Sequence, residues 1–477
     1  MKLWDKEIST EQGILAFTTG KDPEYDLDLA PYDLLGSMAH TIMLAETGLI
    51  GKDEAAQLLL ALDLLYKEAL EGKLVLEPGV EDIHSQVEMV LTGKLGDMGK
   101  KIHTGRSRND QVMVDIKLFL RDEISQVAEK TLDLARILLV QADKYKQVLM
   151  PGYTHMQVAM PSSFGLWFGA YAEALADDLT YLQGIHGVVN QNPLGSAAGF
   201  GSSFPVDREL TTRLLAFDDM HISSVNAQMN RGKTEWYVGT GIGAVASSLA
   251  RLAMDAVLFM GQNFNFIALP DELTTGSSIM PHKKNPDVLE LLRARSNRLT
   301  MVASEVSAVT GNLISGYHRD FQILKEILHP ALHELLICLE MMHYVVEHME
   351  VNKDIMMDER YQYIYSVEEV NKKVQAGVPF RDAYREVAAE IDKDRYRPGR
   401  DHTYTHLGSI GNPGLEEIKV KLEKAYGGFH FVNSEELVKQ LSNYFRKIML
   451  EFKDLIVTNI AFLNVTTHPT KCTCSRF

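Results

Sequence analysis

Residues 112–149 run for 38 positions without a proline or a glycine. Apolar side chains recur along this run at Leu118, Leu120, Ile124, Val127, Leu132, Leu134, Leu138 and Leu139, a spacing that predicts one helix. At 1.5 Å per residue such a helix is roughly 57 Å long. No small domain covers that length alone, so the helix must pack along others of similar length or across subunits. Further periodic runs occupy residues 162–191, 234–266, 287–309 and 321–350, with Pro- and Gly-containing punctuation at 151–152, 193–201, 270–286 and 311–316. Strand signals are few and short, and no internal repeat stands out. The expected fold is all-α, built on a central long-helix bundle. Residues 1–110, with shorter amphipathic runs such as 53–71, read as an N-terminal helical domain. Residues 111–352 read as the bundle domain, and 353–477, with an Arg-, Gly- and Pro-rich loop at 395–413, as a C-terminal helical domain.

Charge narrows the function classes. Lys and Arg number 48 against 64 Asp and Glu, a formal charge of −16, and the densest basic stretches, Lys283-Lys284 and Arg293 to Arg298, lie beside Gly, Asn and Glu. A nucleic-acid surface is therefore not expected. Three cysteines, Cys338, Cys472 and Cys474, make no disulfide framework and fit a reducing, cytoplasmic setting. The first ten residues lack the apolar core of a signal peptide. The apolar stretch 238–261 is interrupted by Arg251 and Asp255 and reads as a buried helix, with no membrane association expected. His329 and His333 flank Pro330 without an accompanying glutamate, and read as capping or surface histidines, not metal ligands. Cys472 and Cys474 with His468 read as part of a frayed tail.

The strongest chemical signal is residues 274–286, TTGSSIMPHKKNP. Small and polar residues between helical segments suit a mobile anion-binding lid. The pattern G-S-x-x-M-x-x-K-x-N has a chance occurrence on the order of 10⁻⁴ in a chain of this length. It resembles the signature loop of the fumarase and aspartase superfamily. HTGRSRNDQ at 103–111 and GYTHMQVAMP at 152–161 are similar to that superfamily's two other conserved regions, in the expected order. Together with PLGS at 193–196, PVDREL at 205–210 and MPHKKNPD at 280–287, they resemble its argininosuccinate lyase branch over most of residues 28–350.

The resemblance implies elimination of arginine from argininosuccinate to give fumarate, without a metal or organic cofactor. Removing a proton beside a carboxylate creates an aci-carboxylate with nearly two negative charges, and the departing guanidine needs a proton. Prepositioned cations and N–H donors stabilise such an anion. Lys283 and Asn285 suit that task, supported by Arg108, Asn109 and Thr154. By resemblance Ser277 is the catalytic serine, His155 the catalytic histidine and Glu290 the carboxylate paired with it. Serine is a poor base unless a cation lowers its pKa, and Lys283 is six residues away. The residues leave open which of Ser277 and His155 takes the proton; Ser277 is favoured, with His155 as acid or orienting group. EDIHSQVE at 81–88 offers Asp82 to the cationic arginine end. Tyr317, Gln322 and Lys325 fall where the family holds the amino-acid end, and Arg231 stands before the third long helix. A homotetramer is implied, each site gathering segments from three subunits. The alternatives are a lyase acting on adenylosuccinate, aspartate or malate, and a non-catalytic structural relative.

Four segments depart from the branch. Its opening LWGGRF is LWDKE at 3–7, and the small polar segment that supplies a serine to substrate is FTTGKD at 17–22. Its S-[DE]-R-D becomes Met229-Asn230-Arg231-Gly232, without the neighbouring acid. Its QEDKE becomes QILKE at 322–326. These changes bear on recognition of the leaving group and leave the fumarate-forming residues in place.

Overall fold

The computed structural model describes residues 12–77, 79–399, 402–432 and 434–450. The departure at 3–7 and the cysteine-containing tail lie outside them. The N-terminal elements are α1 (Gln12–Thr19), α2 (Asp22–Glu46), α3 (Lys52–Leu70), α4 (Ile83–Leu95) and the single turn α5 (Asp97–Lys100). The bundle follows with α6 (Arg108–Lys144), a hairpin of β1 (Leu149–Thr154) and β2 (Gln157–Ser163), and α7 (Phe164–Val189). Short pieces β3 (Gln191–Asn192), α8 (Arg208–Leu214), β4 (Asp219–Met220) and α9 (Ser224–Met229) lead into α10 (Lys233–Met260). Next come β5 (Ile267–Ala268), β6 (Thr275–Gly276), β7 (Lys284–Asn285), α11 (Asp287–Leu299), α12 (Val302–Thr310), α13 (Ile323–Glu347) and β8 (Glu350–Val351). The last elements are α14 (Ser366–Gln375), α15 (Phe380–Asp392), α16 (Leu415–Gly427) and α17 (Ser434–Leu450).

The long expected helices form, with informative differences at their ends. α6 opens four residues earlier than the apolar pattern because Ser107 caps it, accepting from the Asn109 N–H while Asp110 accepts from the Ser107 N–H. It stops at Lys144, and residue 149 is already in β1. α10 ends at Met260, before Gly261. The expected helix over 287–309 is two helices, separated at Thr300-Met301. The separation carries no Gly or Pro, which is why the sequence pattern hides it.

One core runs between α6, α7, α10 and α11 to α13, through side chains such as Leu134, Phe168, Leu249, Leu292 and Leu335. α10 is long and apolar enough to cross a membrane by length and composition alone. In the fold it packs against α7, α11, α12 and α13, with Val238, Ile242, Val245, Leu249 and Leu252 buried. A second core joins α2, α3 and α4 to the start of α6, and a small third cluster holds Val370, Ala383, Val387 and Tyr396. α16 lies against α6 and α7, and α17 against α2 and α3. His329 corrects a sequence expectation: it neither caps a helix nor lies on the surface. It is buried within α13, stacked on Phe119 at 4.3 Å with Nδ1 3.0 Å from Asp28 Oδ2; His333 is exposed.

Candidate active site

The N-terminus of α6 and the N-terminus of α4 face each other. Asp82 caps α4 by accepting the Ser85 N–H at 2.8 Å, and its carboxylate also pairs with Arg108. Glu81 lies 3.4 Å from Arg108 Nη1 and pairs with Arg319 as well. Burial alone would raise the Asp82 pKa, but His84, Arg108 and the Ser85 N–H hold it below the usual value. Burial likewise opposes the charge on Arg108, while Asp82 and Glu81 keep its pKa above the ordinary arginine value. Arg319 Nε donates to Gln322 Oε1 at 2.6 Å, and Gln322 Nε2 donates to Asp22 Oδ2 at 2.6 Å. Lys325 is buried between Asp22 and Asp26. Its burial would lower its pKa, and the two carboxylates raise it instead. Asp26 also accepts the Ile83 N–H at 3.1 Å, so α2, α4, α6 and α13 meet in one polar seam. Tyr317 is half-buried beside it, edge-on to Phe321, and Asn109 is half-buried next to Arg108.

The remaining expected residues sit apart, Glu290 in the first turn of α11 and the others on or beside the loops and hairpin tips of β1–β2 and β6–β7 or, for Arg231, before α10. Ser277 lies in the loop that β6 and β7 close, with Thr275 and Gly276 paired to Asn285 and Lys284. Its Oγ accepts from the Ile279 N–H at 3.3 Å and the Met280 N–H at 3.1 Å. Two N–H dipoles aimed at one hydroxyl oxygen favour negative charge there. Lys284 pairs with Asp271, whereas Lys283 is exposed and no described residue engages its ammonium. Asn285 Nδ2 lies 3.5 Å from Thr275 Oγ1. His155 and Met156 form the two-residue tip between β1 and β2, with φ of 52° and 58°. Left-handed backbone at two non-glycine residues is strained and is favoured at functional turns. Thr154, His155 and the exposed Glu290 have no hydrogen bond or ion pair to one another, or to Ser277, among the described residues. The structure therefore gathers Arg108, Asn109, Asp82, Tyr317, Gln322 and Lys325 into one region. Among the described residues it places neither His155 nor Glu290 in hydrogen-bond or ion-pair contact with Ser277.

Several participants lay outside the sequence reading. Glu81, Arg319, Asp22 and Asp26 join the seam; Glu81 and Asp22 sit in quoted segments, but the sequence reading assigns none of the four a role. Asp110 is buried and accepts the Gly195 N–H at 2.9 Å and the Ala197 N–H at 2.8 Å. It thereby ties TGRSRND to PLGS; burial pushes its carboxyl up to about 6 against those donors. Arg231 is buried and its Nε lies 2.9 Å from Glu235 Oε1, one helical turn on, while its Nη2 donates to the Phe321 carbonyl at 3.0 Å. The acid missing beside Arg231 in sequence is thus supplied in space. Asp33, His84 and Asp115 form a buried group with ligand atoms within 4.8 Å of one another, a geometry that could hold a metal ion. It includes a 3.0 Å contact from His84 to Asp33.

A sequence profile described as lyase matches residues 7–300, which sets the class of protein that the bundle and its signature loop define. The argininosuccinate lyase of Bacteroides fragilis is 52% identical over 440 residues, spanning 92% of this chain and 98% of that protein. The argininosuccinate lyase of Stenotrophomonas maltophilia is 38% identical, over 88% of this chain and 98% of its own length. Among solved structures, an EDDS lyase in complex with formate superposes with a TM-score of 0.72 at 22% identity, covering 96% of this chain and 98% of that one. A class II fumarase from Schistosoma mansoni gives 0.65 at 16% identity, over 87% and 95%. At these identities the structural likeness speaks for the fold alone. The chain belongs to the argininosuccinate lyases, within the fumarase and aspartase superfamily.

Proposed function

We propose that the seam and the signature loop together carry out the carbon–nitrogen elimination of this family, splitting argininosuccinate into arginine and fumarate. The observation that carries the reading is the 52% identity to an argininosuccinate lyase over 98% of that protein's length. In the proposed chemistry Ser277 takes the Cβ proton, its Oγ made more acidic by the Ile279 and Met280 N–H groups and by Lys283 once the loop closes. The resulting aci-carboxylate is met by Lys283 and Asn285, with Thr154 and Asn109 as further donors. Its electron pair forms the new C=C bond of fumarate as the C–N bond breaks, and the guanidine nitrogen leaves with the C–N pair. His155, paired with Glu290, supplies the proton that nitrogen needs. Arg108, Asp82, Tyr317, Gln322, Lys325 and Arg231 hold the arginine end or order the groups that do. No metal or organic cofactor enters this scheme.

The reading includes a homotetramer. Trp236, Met254, Leu291 and Met301 are large apolar side chains left exposed on α10, α11 and the α11–α12 break, and a neighbouring copy would cover them. The exposed His155 tip and Ser277 loop would then meet the seam of other subunits. It also includes a cytoplasmic setting. The three-domain division remains part of the proposal, with the second core as its N-terminal unit, the first as its bundle and the Val370 cluster as the centre of its C-terminal unit.

Purified protein is given argininosuccinate, adenylosuccinate, aspartate and malate separately, and fumarate is followed by its ultraviolet absorbance. Fumarate from argininosuccinate alone is the expected result. Release from another substrate moves the substrate assignment, and release from none overturns the reading.

A further inference from the structure

Asp22 is an acid in the first turn of α2 that is only 5% exposed. Burying a carboxylate is costly unless partners repay the lost hydration, and Asp22 has two, on a helix some three hundred residues away. Its Oδ1 lies 2.6 Å from Lys325 Nζ, and its Oδ2 accepts from Gln322 Nε2 at 2.6 Å. The positions between those partners, 323 and 324, are Ile and Leu. The negative charge facing Lys325 therefore comes from α2, through Asp22 and Asp26, and not from α13 itself.

Following the contacts outward gives the seam's charge balance. Lys325 meets Asp22 and Asp26, Gln322 links Asp22 to Arg319, Arg319 meets Glu81, and Arg108 meets Glu81 and Asp82. Four carboxylates oppose three cations. The seam is one negative charge in excess, and Asp22 is the member that binds both Gln322 and Lys325 of the amino-acid end. Free arginine, with an α-carboxylate, an α-ammonium and a guanidinium, carries one net positive charge. Removing its α-amine would remove that complementarity while leaving the guanidinium and carboxylate in place. A carboxylate oxygen that already accepts one donor has a further lone pair for an ammonium.

We propose that Asp22 is a specificity-determining positioning residue, which fixes Gln322 and Lys325 and makes the leaving-group site selective for an α-amino acid over a guanidine compound lacking the α-ammonium. The inference rests on the reading of the seam as the arginine end of the site. It separates from the proposed reaction because binding and turnover are measured independently.

Calorimetric titration of the intact protein with arginine, 5-guanidinopentanoate and fumarate reads the inference directly. The unaltered protein binds arginine about tenfold or more tighter than 5-guanidinopentanoate, an ordinary gain for one charge-assisted contact. Asp22→Asn keeps the shape and removes the charge. It shrinks that ratio to within about twofold while the fumarate dissociation constant stays unchanged, and it raises KM for argininosuccinate more than it lowers kcat. A ratio near one in the unaltered protein overturns the proposal, as does a ratio preserved in Asp22→Asn. Should that variant not fold, the ratio in the unaltered protein still decides. Arginine discrimination without argininosuccinate turnover would break the assigned reaction and keep Asp22's role; turnover without discrimination would do the reverse.

Discussion

The seam at the N-termini of α4 and α6 and the pair of turns carrying Ser277 and His155 are built on opposite principles. In the seam, charges that are buried or half-buried except for Arg319 satisfy one another within one chain, down to Lys325 between two carboxylates. On the turns, Lys283 and His155 are exposed, and the backbone at His155 and Met156 is held at positive φ. The contrast fits the task that the proposed function gives each region. Groups that recognise a ground state can be fixed in advance, since they meet the same charges in every turnover. Groups that act on an anion existing only in the transition state are kept uncommitted until the site closes over it.

The largest effect is expected from the uncommitted half. Ser277→Ala removes the hydroxyl on which two N–H groups converge and should lower fumarate release by several orders of magnitude with no change in thermal midpoint, because the loop contributes no side chain to either large core. Turnover like that of the unaltered protein would strip Ser277 of its role and move the proton abstraction to His155.

Glu235→Gln attacks the committed side. It removes the charge facing Arg231 at a position 1% exposed, and breaking a buried pair of this kind costs about 3–5 kcal/mol. A clear fall in the thermal midpoint, with KM unchanged well below it, would make Arg231 a structural cation. A raised KM with the midpoint preserved would make it a substrate contact and extend the seam to α10.

These two regions also differ in how much of them could be read from the sequence. The Ser277 loop was legible because its residues are consecutive, as was the helix beginning near 112, whose apolar spacing is local. The seam was legible only in pieces. Asp82, Gln322 and Lys325 stood out by motif, but Asp22 and Glu235 compensate losses at 323–324 and beside Arg231 from other turns and other helices. Only folding reveals such replacements. The β1–β2 hairpin escaped for a different reason. Its two-residue turn carries His and Met where the left-handed backbone favours Gly or Asn, so the usual hairpin signal is missing where strain is present.

Lys283→Met tests whether the exposed lysine meets a carboxylate already in the ground state. The expected rise in KM is roughly tenfold to a hundredfold, about 1.4–2.8 kcal/mol, with a fall in kcat beside it. An unchanged KM would confine Lys283 to the transition state and sharpen the division between recognition and chemistry.

The smallest effect tests the frame beneath the seam. Lys117 lies on α6, fully buried, and donates to the Val188 and Val189 carbonyls at 3.2 and 3.3 Å, at the C-terminus of α7, where a cation is favoured by the helix dipole. Burial nevertheless lowers its pKa to about 7, with Glu235 opposing the shift. Between that value and the ordinary 10.5, the unfolded chain binds a proton that the folded chain does not. Stability from this group is therefore fully present above the unfolded pKa and is lost as pH falls through the folded one, with a slope of at most about 1.4 kcal/mol per pH unit. Denaturant unfolding of the unaltered protein and of Lys117→Met across this range should give curves whose difference changes with that slope, because every other titrating group cancels. Parallel curves would mean that Lys117 keeps its charge when buried. The frame would then include a buried cation held by the Val188 and Val189 carbonyls, and its order would depend less on dehydration of that charge.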